Sequence, residues 1–297
     1  MTVRPRRVLV VANPAAGLSR GRPAGELAAR AARGAGRRVD LALTEGPGDA
    51  ERFAAAAAAD GYDLVVAAGG DGTVNEAANG IGGTGTALGV APAGTMNLLA
   101  RVLRLPLDPD RAVARIAEGY APLSIRPGIA GERLFLLMLG AGFDAWVLRE
   151  LLRGVAGKIR FADYVRGAIR GLRTFPFPAL SVEFDTARCA AHSAIVGRAP
   201  LYGGFLRPTP HARLDRDRLE LCAIDGGALR LAAVLPRMWS GAHGGRDGIT
   251  LALASRVAVR GALPELPYQI DGELAGTLPV TIGLATRAVV LAIPAGR

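Results

Sequence analysis

The stretch Leu64–Asn79, LVVAAGGDGTVNEAAN, decides how the first part of the chain folds. Its apolar start predicts a buried strand over Leu64–Ala68, and its end predicts a helix from Val74. Ligands of open α/β sheets bind where the carboxyl ends of strands meet helix N-termini. Glycines there let backbone N–H groups reach phosphate oxygens, and the helix N-terminus adds a partial positive charge. The segment therefore predicts a nucleotide-binding loop, whose candidate residues are Gly69, Gly70, Asp71, Gly72, Thr73 and Asn75.

Asp71 is an acidic residue inside this anion-binding loop. A carboxylate there is electrostatically unfavourable unless a cation or a sugar hydroxyl lies beside it. Mg²⁺ is commonly held by one or two carboxylates together with waters and phosphate oxygens. Asp71 is therefore a candidate for a metal-linked catalytic role, and the alternative is a tight turn in which Asp71 caps the helix.

Three more candidate binding segments follow predicted strands. Asn13 follows the first strand, Val8–Ala12, and Thr44 follows the second, Val39–Leu43. The loop after the fourth strand contributes Gly94, Thr95 and Asn97. Because the carboxyl ends of parallel strands meet at one edge of a sheet, we expect these residues around the same nucleotide.

The fold class follows from how the segments alternate. Up to Tyr120, strands alternate with helices, which predicts an α/β N-terminal domain with a mostly parallel sheet. After Tyr120, strand-like segments such as the apolar run Arg133–Leu139 predict a β-rich antiparallel sandwich as the C-terminal domain. We expect the domains to span residues 1–123 and 124–297, with the alternative that the last strand returns to the N-terminal domain.

Composition bounds the class of protein. The chain has 297 residues and a net charge of +10, which reflects either a composition bias or attraction to polyanions. Two cysteines are too few for a disulfide framework, and no aromatic and basic platform indicates nucleic acid as a partner. No apolar run reaches the roughly 20 residues that span a bilayer. We therefore expect a cytoplasmic protein with peripheral membrane association, and leave homodimer formation open.

Three motifs together carry a family resemblance. They are N-P-x-x-G after the first strand, G-G-D-G-T-x-N-E after the third and P-x-G-T-x-N-x-x-A-R after the fourth. In this combination the chain resembles the diacylglycerol kinase catalytic-domain family, in particular its bacterial soluble lipid kinases, over essentially its whole length. The resemblance implies ATP and Mg²⁺ as cofactors and a nucleotide site in the interdomain cleft. It also implies transfer of the γ-phosphate of ATP to a hydroxyl of a membrane lipid such as diacylglycerol, as in phospholipid biosynthesis.

The resemblance also assigns a role to the late triplet Asp271-Gly272-Glu273. In similar enzymes the glutamate of this triplet acts as general base on the lipid hydroxyl, so Glu273 is the candidate base. From spacing alone, the same residues read as an Asp-Gly hairpin turn with a solvated Glu273.

A structural Mg²⁺ site is implied by the resemblance as well. Similar bacterial enzymes hold this ion with an aspartate side chain and two backbone carbonyls in a loop ending D-G-x-L. The matching positions here are Leu214, Asp217 and Leu219, but Arg218 stands where the family usually has glycine. An arginine there places a positive charge near the ion or forces a different backbone angle, so the sequence leaves the metal site open.

Residues 149–173 combine basic and apolar side chains at helical spacing. We expect this segment to make peripheral contact with an anionic membrane, and the alternative is an ordinary helical face with solvated charges. For the whole chain, two alternatives to a lipid kinase stay open. One is an NAD-kinase-like kinase of a soluble metabolite, and the other is a non-catalytic lipid-binding protein.

Overall fold

A computed structural model describes residues 2–19, 21–154 and 161–295 of the chain. The chain forms two compact units. The first unit comprises Met1–Pro127 with Ala285–Arg297, and the second comprises Gly128–Leu284. The division expected after residue 123 falls inside strand β5 (Tyr120–Ile125). Because β5 pairs antiparallel with the last strand, β18 (Val289–Pro294), both strands belong to the first unit.

The first unit is built on a six-stranded sheet with the order β2-β1-β3-β4-β18-β5. Its other strands are β1 (Arg7–Ala12), β2 (Arg38–Leu43), β3 (Leu64–Gly69) and β4 (Ala87–Pro92). Strands β1 to β4 run parallel, and β18 is parallel to β4. This is the mostly parallel sheet that the sequence predicts.

Helices cover both faces of this sheet. They are α1 (Ala16–Ser19), α2 (Gly21–Gly34), α3 (Asp49–Ala59), α4 (Asp71–Ile81), α5 (Leu98–Val102) and α6 (Pro109–Glu118). The chain crosses from β1 to β2 in one direction and from β2 to β3 in the other. Right-handed crossovers therefore put the connecting helices on opposite faces. Helix α2 packs with α6, and α3 packs with α4.

Small side chains fill the core of the first unit. Val8, Val10 and Ala12 alternate along β1 and face the alanines of α2, among them Ala28 and Ala32. Alanine lets a helix approach the sheet closely, and this explains how a chain with 5% aromatic residues still buries a continuous core.

The second unit contains two six-stranded antiparallel sheets, with the orders β10-β9-β14-β17-β6-β7 and β13-β12-β11-β8-β15-β16. Its strands are β6 (Gly128–Ala130), β7 (Arg133–Phe135), β8 (Met138–Gly142), β9 (Leu180–Phe184), β10 (Ala187–Ala191), β11 (Ser193–Gly197), β12 (Leu219–Ile224), β13 (Ile249–Ala254), β14 (Arg256–Gly261), β15 (Pro267–Ile270), β16 (Glu273–Thr277) and β17 (Val280–Leu284). Its helices are α7 (Phe143–Gly154), α8 (Phe161–Thr174) and α9 (Ala228–Ser240).

The apolar run Arg133–Leu139, which the sequence predicts as one strand, is divided between these two sheets. Its first part is β7 and its last residues begin β8, so the single-strand prediction is wrong. The chain changes sheets at Leu136 and Leu137, which are both buried. Residues 134–139 are all buried and all apolar, so the sequence carries no signal for the break between the two strands. Within the described residues, no helix combines the length and apolar character that crossing a bilayer requires.

Candidate active site

The loops after β3 and β4 contact each other through their backbones. The N–H groups of Ala93 and Gly94 donate to the carbonyl oxygen of Gly69 at 2.9 and 3.2 Å. A Cβ on Gly94 would lie 2.5 Å from the Cα of Gly70, closer than two carbon atoms that are not bonded to each other can approach. The absence of a side chain at residue 94 is therefore what brings the two predicted glycine loops together.

The loop after β1 joins the same cluster. The Asn13 side-chain amide donates to Thr73 Oγ1 at 3.3 Å. A Cβ on Gly17 would lie 1.8 Å from the carbonyl oxygen of Ala93, so this loop also abuts the loop after β4. Strands β1 and β3 flank the point where the strand order reverses, the place where open α/β sheets bind ligands. We refer to these three loops, 13–17, 69–73 and 93–97, as the loop cluster.

Asp71 ties two loops of this cluster together. Its carboxylate accepts the N–H groups of Leu98 and Leu99 at 2.9 and 3.0 Å and so caps the start of α5. Burial raises the pKa of this carboxyl, and the two hydrogen bonds oppose that rise. Both oxygens of Asp71 therefore accept hydrogen bonds from the first residues of α5, which the sequence did not indicate. The metal-linked role of Asp71 stays a prediction.

Asn97 closes the turn after β4. Its Oδ1 accepts the Gly94 N–H at 2.8 Å, and its Nδ2 donates to the Gly94 carbonyl at 2.9 Å. Its backbone has a positive φ of 49°, which asparagine tolerates better than most residues. Thr95 lies at the tip of this turn and is exposed, so its hydroxyl can reach a ligand.

Two predicted residues are not part of the three loops themselves. Asn75 is only 1% exposed, and its carbonyl accepts the Asn79 side-chain amide at 2.9 Å within α4. Thr44 follows β2, which is separated from β3 by β1, and its N–H donates to the Ala12 carbonyl. Gly72, by contrast, lies in the first turn of α4 beside Thr73. The structure therefore groups Asn13, Gly69, Gly70, Asp71, Gly72, Thr73, Gly94, Thr95 and Asn97. Asn75 is buried within α4, and Thr44 is hydrogen-bonded to Ala12, directly before the loop that follows β1.

The loop cluster is suited to binding a polyphosphate. The first amides of a helix have no acceptor within the helix, and α4 begins within the cluster at Asp71. These amides and the helix dipole favour an anion at the helix N-terminus. The glycine backbones contribute no side chain that would keep phosphate oxygens away from them.

The triplet Asp271-Gly272-Glu273 forms the turn between β15 and β16. Ile270 pairs with Glu273, so the loop has two residues, and Asp271 and Gly272 have positive φ values of 47° and 90°. Positive φ at both positions is typical of the tight hairpin turn that Asp-Gly favours. The hairpin that spacing alone predicts is therefore present, with Glu273 as the first residue of β16.

Asp271 anchors this turn to the connection between β7 and β8. Its carboxylate accepts the N–H groups of Leu136, Leu137 and Met138 at 2.8, 3.0 and 2.7 Å. A carboxylate that accepts several amides makes strong, charge-assisted hydrogen bonds. The position of Glu273 is thus set by a segment more than 130 residues earlier in the chain, as the separation of 133 residues between Asp271 and Met138 shows.

Glu273 forms an ion pair with Arg133, the first residue of β7. The Glu273 side chain is 44% exposed, so it is open to a substrate as well as to its partner. Tyr164 of α8 lies close enough that the charge of Glu273, together with the larger effect of burial, raises the pKa of the tyrosine. Arg133 was not predicted as a site residue, because it lies 140 residues from Glu273 in the sequence.

A second buried carboxyl lies behind the hairpin. Gln269 donates to Asp144 Oδ2 at 3.0 Å and accepts the Gly272 N–H at 2.8 Å. Burial raises the pKa of Asp144 to about 6 against the opposing effect of the Gln269 hydrogen bond. Tyr202 is part of the same surroundings, and burial and the charge of Asp144 raise its pKa well above the ordinary value. Asp144 and Gln269 therefore hold the turn from the interior of the second unit, because Gln269 bonds both Asp144 and Gly272.

The residues that the resemblance assigns to a structural metal do not fit a divalent ion. The Leu214 carbonyl accepts a hydrogen bond from Arg198 Nη2 at 2.8 Å, and the Asp217 side chain is exposed. Leu219 begins β12 and pairs with Ala254 of β13. A guanidinium on a predicted ligand oxygen repels a second cation at that position. Among the described residues, no group of three or more His, Cys, Asp or Glu side chains could hold a metal ion.

A parallel sheet whose loops are suited to a polyphosphate, followed by an antiparallel unit that presents a carboxylate, is the arrangement expected of a nucleotide-dependent phosphotransferase. Residues 7–122 match the family described as the diacylglycerol kinase catalytic domain. Residues 138–293 match the YegS C-terminal NAD kinase beta sandwich-like domain.

Relatives with known names agree with these matches. The chain is 30% identical over 253 residues to a diacylglycerol kinase of Staphylococcus aureus, covering 82% of this chain and 79% of the relative. It is 29% identical over 249 residues to a diacylglycerol kinase of Mycobacterium tuberculosis, covering 81% and 80%. A crystal structure of a diacylglycerol kinase from Bacillus anthracis str. Sterne is 19% identical, covers 98% of both chains and has a TM-score of 0.72, which shows a common fold.

The chain therefore belongs to the diacylglycerol kinase catalytic-domain family, and it is a lipid kinase. The family resemblance and the fold class predicted from the sequence are confirmed. A kinase of this family takes ATP as its phosphate donor, and membership sets aside the alternative of a non-catalytic lipid-binding protein.

Proposed function

We propose that this lipid kinase transfers the γ-phosphate of ATP to a hydroxyl of a membrane lipid, with diacylglycerol as the first candidate. The observation that carries the proposal is the Asp271-Gly272-Glu273 hairpin. Its turn is fixed by three amides, and its glutamate is oriented by Arg133. The names of the relatives support diacylglycerol as the acceptor.

Each part of the chain would have a separate task in this reaction. The N–H groups at the start of α4 hold the triphosphate, and Mg²⁺ that arrives with ATP would neutralise charge on the phosphates. The lipid hydroxyl oxygen forms a bond to the γ-phosphorus while the bond from that phosphorus to the β–γ bridging oxygen breaks, and ADP leaves. The hydroxyl proton passes to the Glu273 carboxylate, which must lie within about 3 Å of the acceptor oxygen.

A comparison of two glutamine variants tests this assignment. Glu273→Gln keeps the size of the side chain but removes the base, so we expect kcat for diacylglycerol phosphorylation in mixed micelles to fall by roughly 100-fold or more. Glu183→Gln is the matched control, because Glu183 is an exposed carboxylate on β9 of the same unit. It should retain the wild-type rate.

The same assay decides the acceptor. Labelled ATP is supplied with diacylglycerol, ceramide, or NAD without detergent. Labelled phosphatidic acid, the phosphorylated form of diacylglycerol, is the expected product of the wild type, and Glu273→Gln should give almost none. Equal output from wild type and Glu273→Gln would remove Glu273 from the mechanism, and phosphorylation of NAD alone would identify a kinase of a soluble metabolite.

We further propose that helix α8 contacts an anionic membrane. On its exposed face, Val165 and Ile169 are 42% and 54% exposed and stand beside Arg166 and Arg170. Exposed apolar side chains among arginines are typical of helices that lie in a lipid headgroup region. Leu152 of α7 is 53% exposed and extends the apolar surface. Val155, Lys158, Ile159 and Arg160, which also belong to the predicted segment 149–173, lie outside the described residues.

Helix α9 contacts α8 and supports the same interpretation. Leu229 and Trp239 are 90% and 66% exposed, and the Trp239 ring lies 5.0 Å from the Phe205 ring. Arg230 and Arg237 belong to the same helix. Large exposed apolar side chains at both ends of α9, together with its arginines, favour contact between this helix and a membrane surface.

Vesicle binding tests the membrane surface. We expect Ile169→Glu to reduce cosedimentation with vesicles of phosphatidylglycerol and phosphatidylcholine, because it puts a negative charge into an apolar and basic face. Leu107→Glu is the control, since Leu107 is 44% exposed but belongs to the first unit. Equal binding of wild type and Ile169→Glu would contradict the contact through α8.

A further inference from the structure

Arg198 is a fully buried arginine immediately after β11. Its side chain has 0% exposure, and it is among the largest completely buried side chains of the described chain. Its own N–H and that of Ala199 both donate to the Leu137 carbonyl, at 2.8 and 3.1 Å. The backbone of Arg198 is therefore fixed next to the connection between β7 and β8. An arginine is rarely buried unless its charge is compensated.

The compensation comes from main-chain oxygens of one loop. Arg198 Nη1 donates to the carbonyls of Arg216 and Arg218 at 2.7 and 2.6 Å, and to that of Arg213 at 3.2 Å. Nη2 donates to the Leu214 carbonyl at 2.8 Å. Four carbonyl oxygens of the segment 213–218 thus converge on a single guanidinium.

Carbonyl oxygens that converge in this way need a cation between them. Each carries a partial negative charge, and each would lose its partner in a buried or partly buried place if the cation were removed. A divalent ion meets this need by coordinating oxygens. A guanidinium meets it with several N–H donors and a charge that persists at every physiological pH.

The arginine at position 218, where the family usually has glycine, is not what prevents a metal ion from binding in this loop. The Arg218 backbone does not have a positive φ, so the loop accepts an arginine there without strain. The side chain turns outward, where its guanidinium donates to Asp185 at 3.3 Å and to Ser255 at 3.0 Å. It is the carbonyl of Arg218, and not its charge, that takes part in the cluster around Arg198.

We propose that the Arg198 guanidinium is the structural cation of loop 213–218 and takes the place of the divalent ion that the family resemblance implies. The loop then holds its shape without metal. The divalent ion that the kinase reaction needs is only the one that arrives with ATP. This proposal concerns the stability of the second unit and stands whatever lipid is the acceptor.

Thermal denaturation of the full-length, nucleotide-free protein tests the proposal. The wild type should have the same Tm in EDTA and in millimolar MgCl₂. Arg198→Met removes the charge and the donors, and we expect its Tm in EDTA to fall by roughly 5–10 °C. Arg216→Met is the matched control, because the Arg216 side chain is exposed while its carbonyl remains available. It should melt like the wild type.

Two further variants keep the test decisive if Arg198→Met does not fold. Asp217→Asn removes the carboxylate assigned to the metal, and its Tm should be the same in EDTA and in MgCl₂. Arg198→Lys keeps a cation but offers fewer donors, so its Tm should fall between those of the wild type and Arg198→Met. The proposal is overturned if MgCl₂ raises the wild-type Tm and Asp217→Asn abolishes that rise, or if Arg198→Met is as stable as the wild type.

Discussion

In the loop cluster of the first unit, close main-chain contacts at glycines set the position of the loops, with one carboxylate, Asp71, capping α5. In the second unit, charged side chains that reach across the sequence set the position of the turn before Glu273 and of loop 213–218. Gly94 and Gly70 touch through their backbones. The turn before Glu273 is instead held by Asp271, and loop 213–218 by Arg198. The two regions should therefore tolerate different substitutions. The loop cluster should be disrupted by an added atom, and the turn before Glu273 and loop 213–218 should be disrupted by the loss of a charge.

The largest effect is expected from adding one methyl group to the loop cluster. Gly94→Ala puts a Cβ 2.5 Å from the Gly70 Cα, so the loops after β3 and β4 must separate. We expect the Kd for ATP to rise by at least about tenfold, since phosphate binding depends on backbone groups of both loops. Calorimetric titration with a non-hydrolysable ATP analogue measures the change.

Gly85→Ala provides the control for this prediction, because a Cβ at Gly85 would meet nothing within 4 Å. Its affinity for the analogue should match that of the wild type. Unchanged affinity in Gly94→Ala would show that the two loops do not bind the nucleotide together.

A smaller effect, on stability, is expected from removing a charge in the second unit. Asp271→Ala leaves the N–H groups of Leu136, Leu137 and Met138 without their acceptor. The free energy of unfolding should fall by about 2–4 kcal/mol. Urea denaturation measures it, with Asp247→Ala as control because the Asp247 side chain is 98% exposed. A loss of stability no larger than that of the control would mean that these hydrogen bonds do not fix the turn.

Asp144 should make the stability of the second unit depend on pH. Its pKa is raised to about 6 in the folded state and is ordinary in the unfolded state, so the folded protein holds this proton more tightly. Charging a buried carboxyl costs free energy, and the wild type should therefore lose stability as the pH rises from about 4 to above 6, by up to about 3 kcal/mol over that whole range. Asp144→Asn cannot ionise and should remove this part of the pH dependence.

Denaturation of both proteins at pH 5 and pH 8 measures this effect. The stability of the variant relative to the wild type should be higher at pH 8 than at pH 5. A difference that does not change between the two pH values would contradict the raised pKa of Asp144.

The smallest effect on stability is expected at the surface ion pair. Arg133 and Glu273 are 36% and 44% exposed, and exposed pairs contribute little to folding. Arg133→Gln should change the free energy of unfolding by less than about 1 kcal/mol. It should nevertheless lower kcat several-fold, because the glutamate is no longer held in one orientation. Equal kcat in the variant and the wild type would leave Arg133 without a positioning role.

The local signals in the chain explain which elements could be predicted. The order of strand, glycine and helix predicts the loop cluster, because each of its loops can be recognised from the residues next to it in the sequence. Helix α6 could also have been predicted: Asp108 caps it through the Arg111 N–H, Pro109 begins it, and Ala112, Val113, Ile116 and Ala117 form its buried face. The division of residues 133–139 between two sheets has no such signal, because residues 134–139 are all apolar.

By itself, the sequence determined the α/β order, the glycine loops, the Asp-Gly turn and the family. These depend on residue type and near-neighbour spacing, which act through local backbone preferences and the hydrophobic period. Only the tertiary structure decided that Asp71 caps α5, that Arg133 pairs with Glu273 and that Arg198 occupies the carbonyls of loop 213–218. Hydrogen bonds and ion pairs join groups that are close in space, and the folded chain brings these partners together from 15 to 140 residues apart.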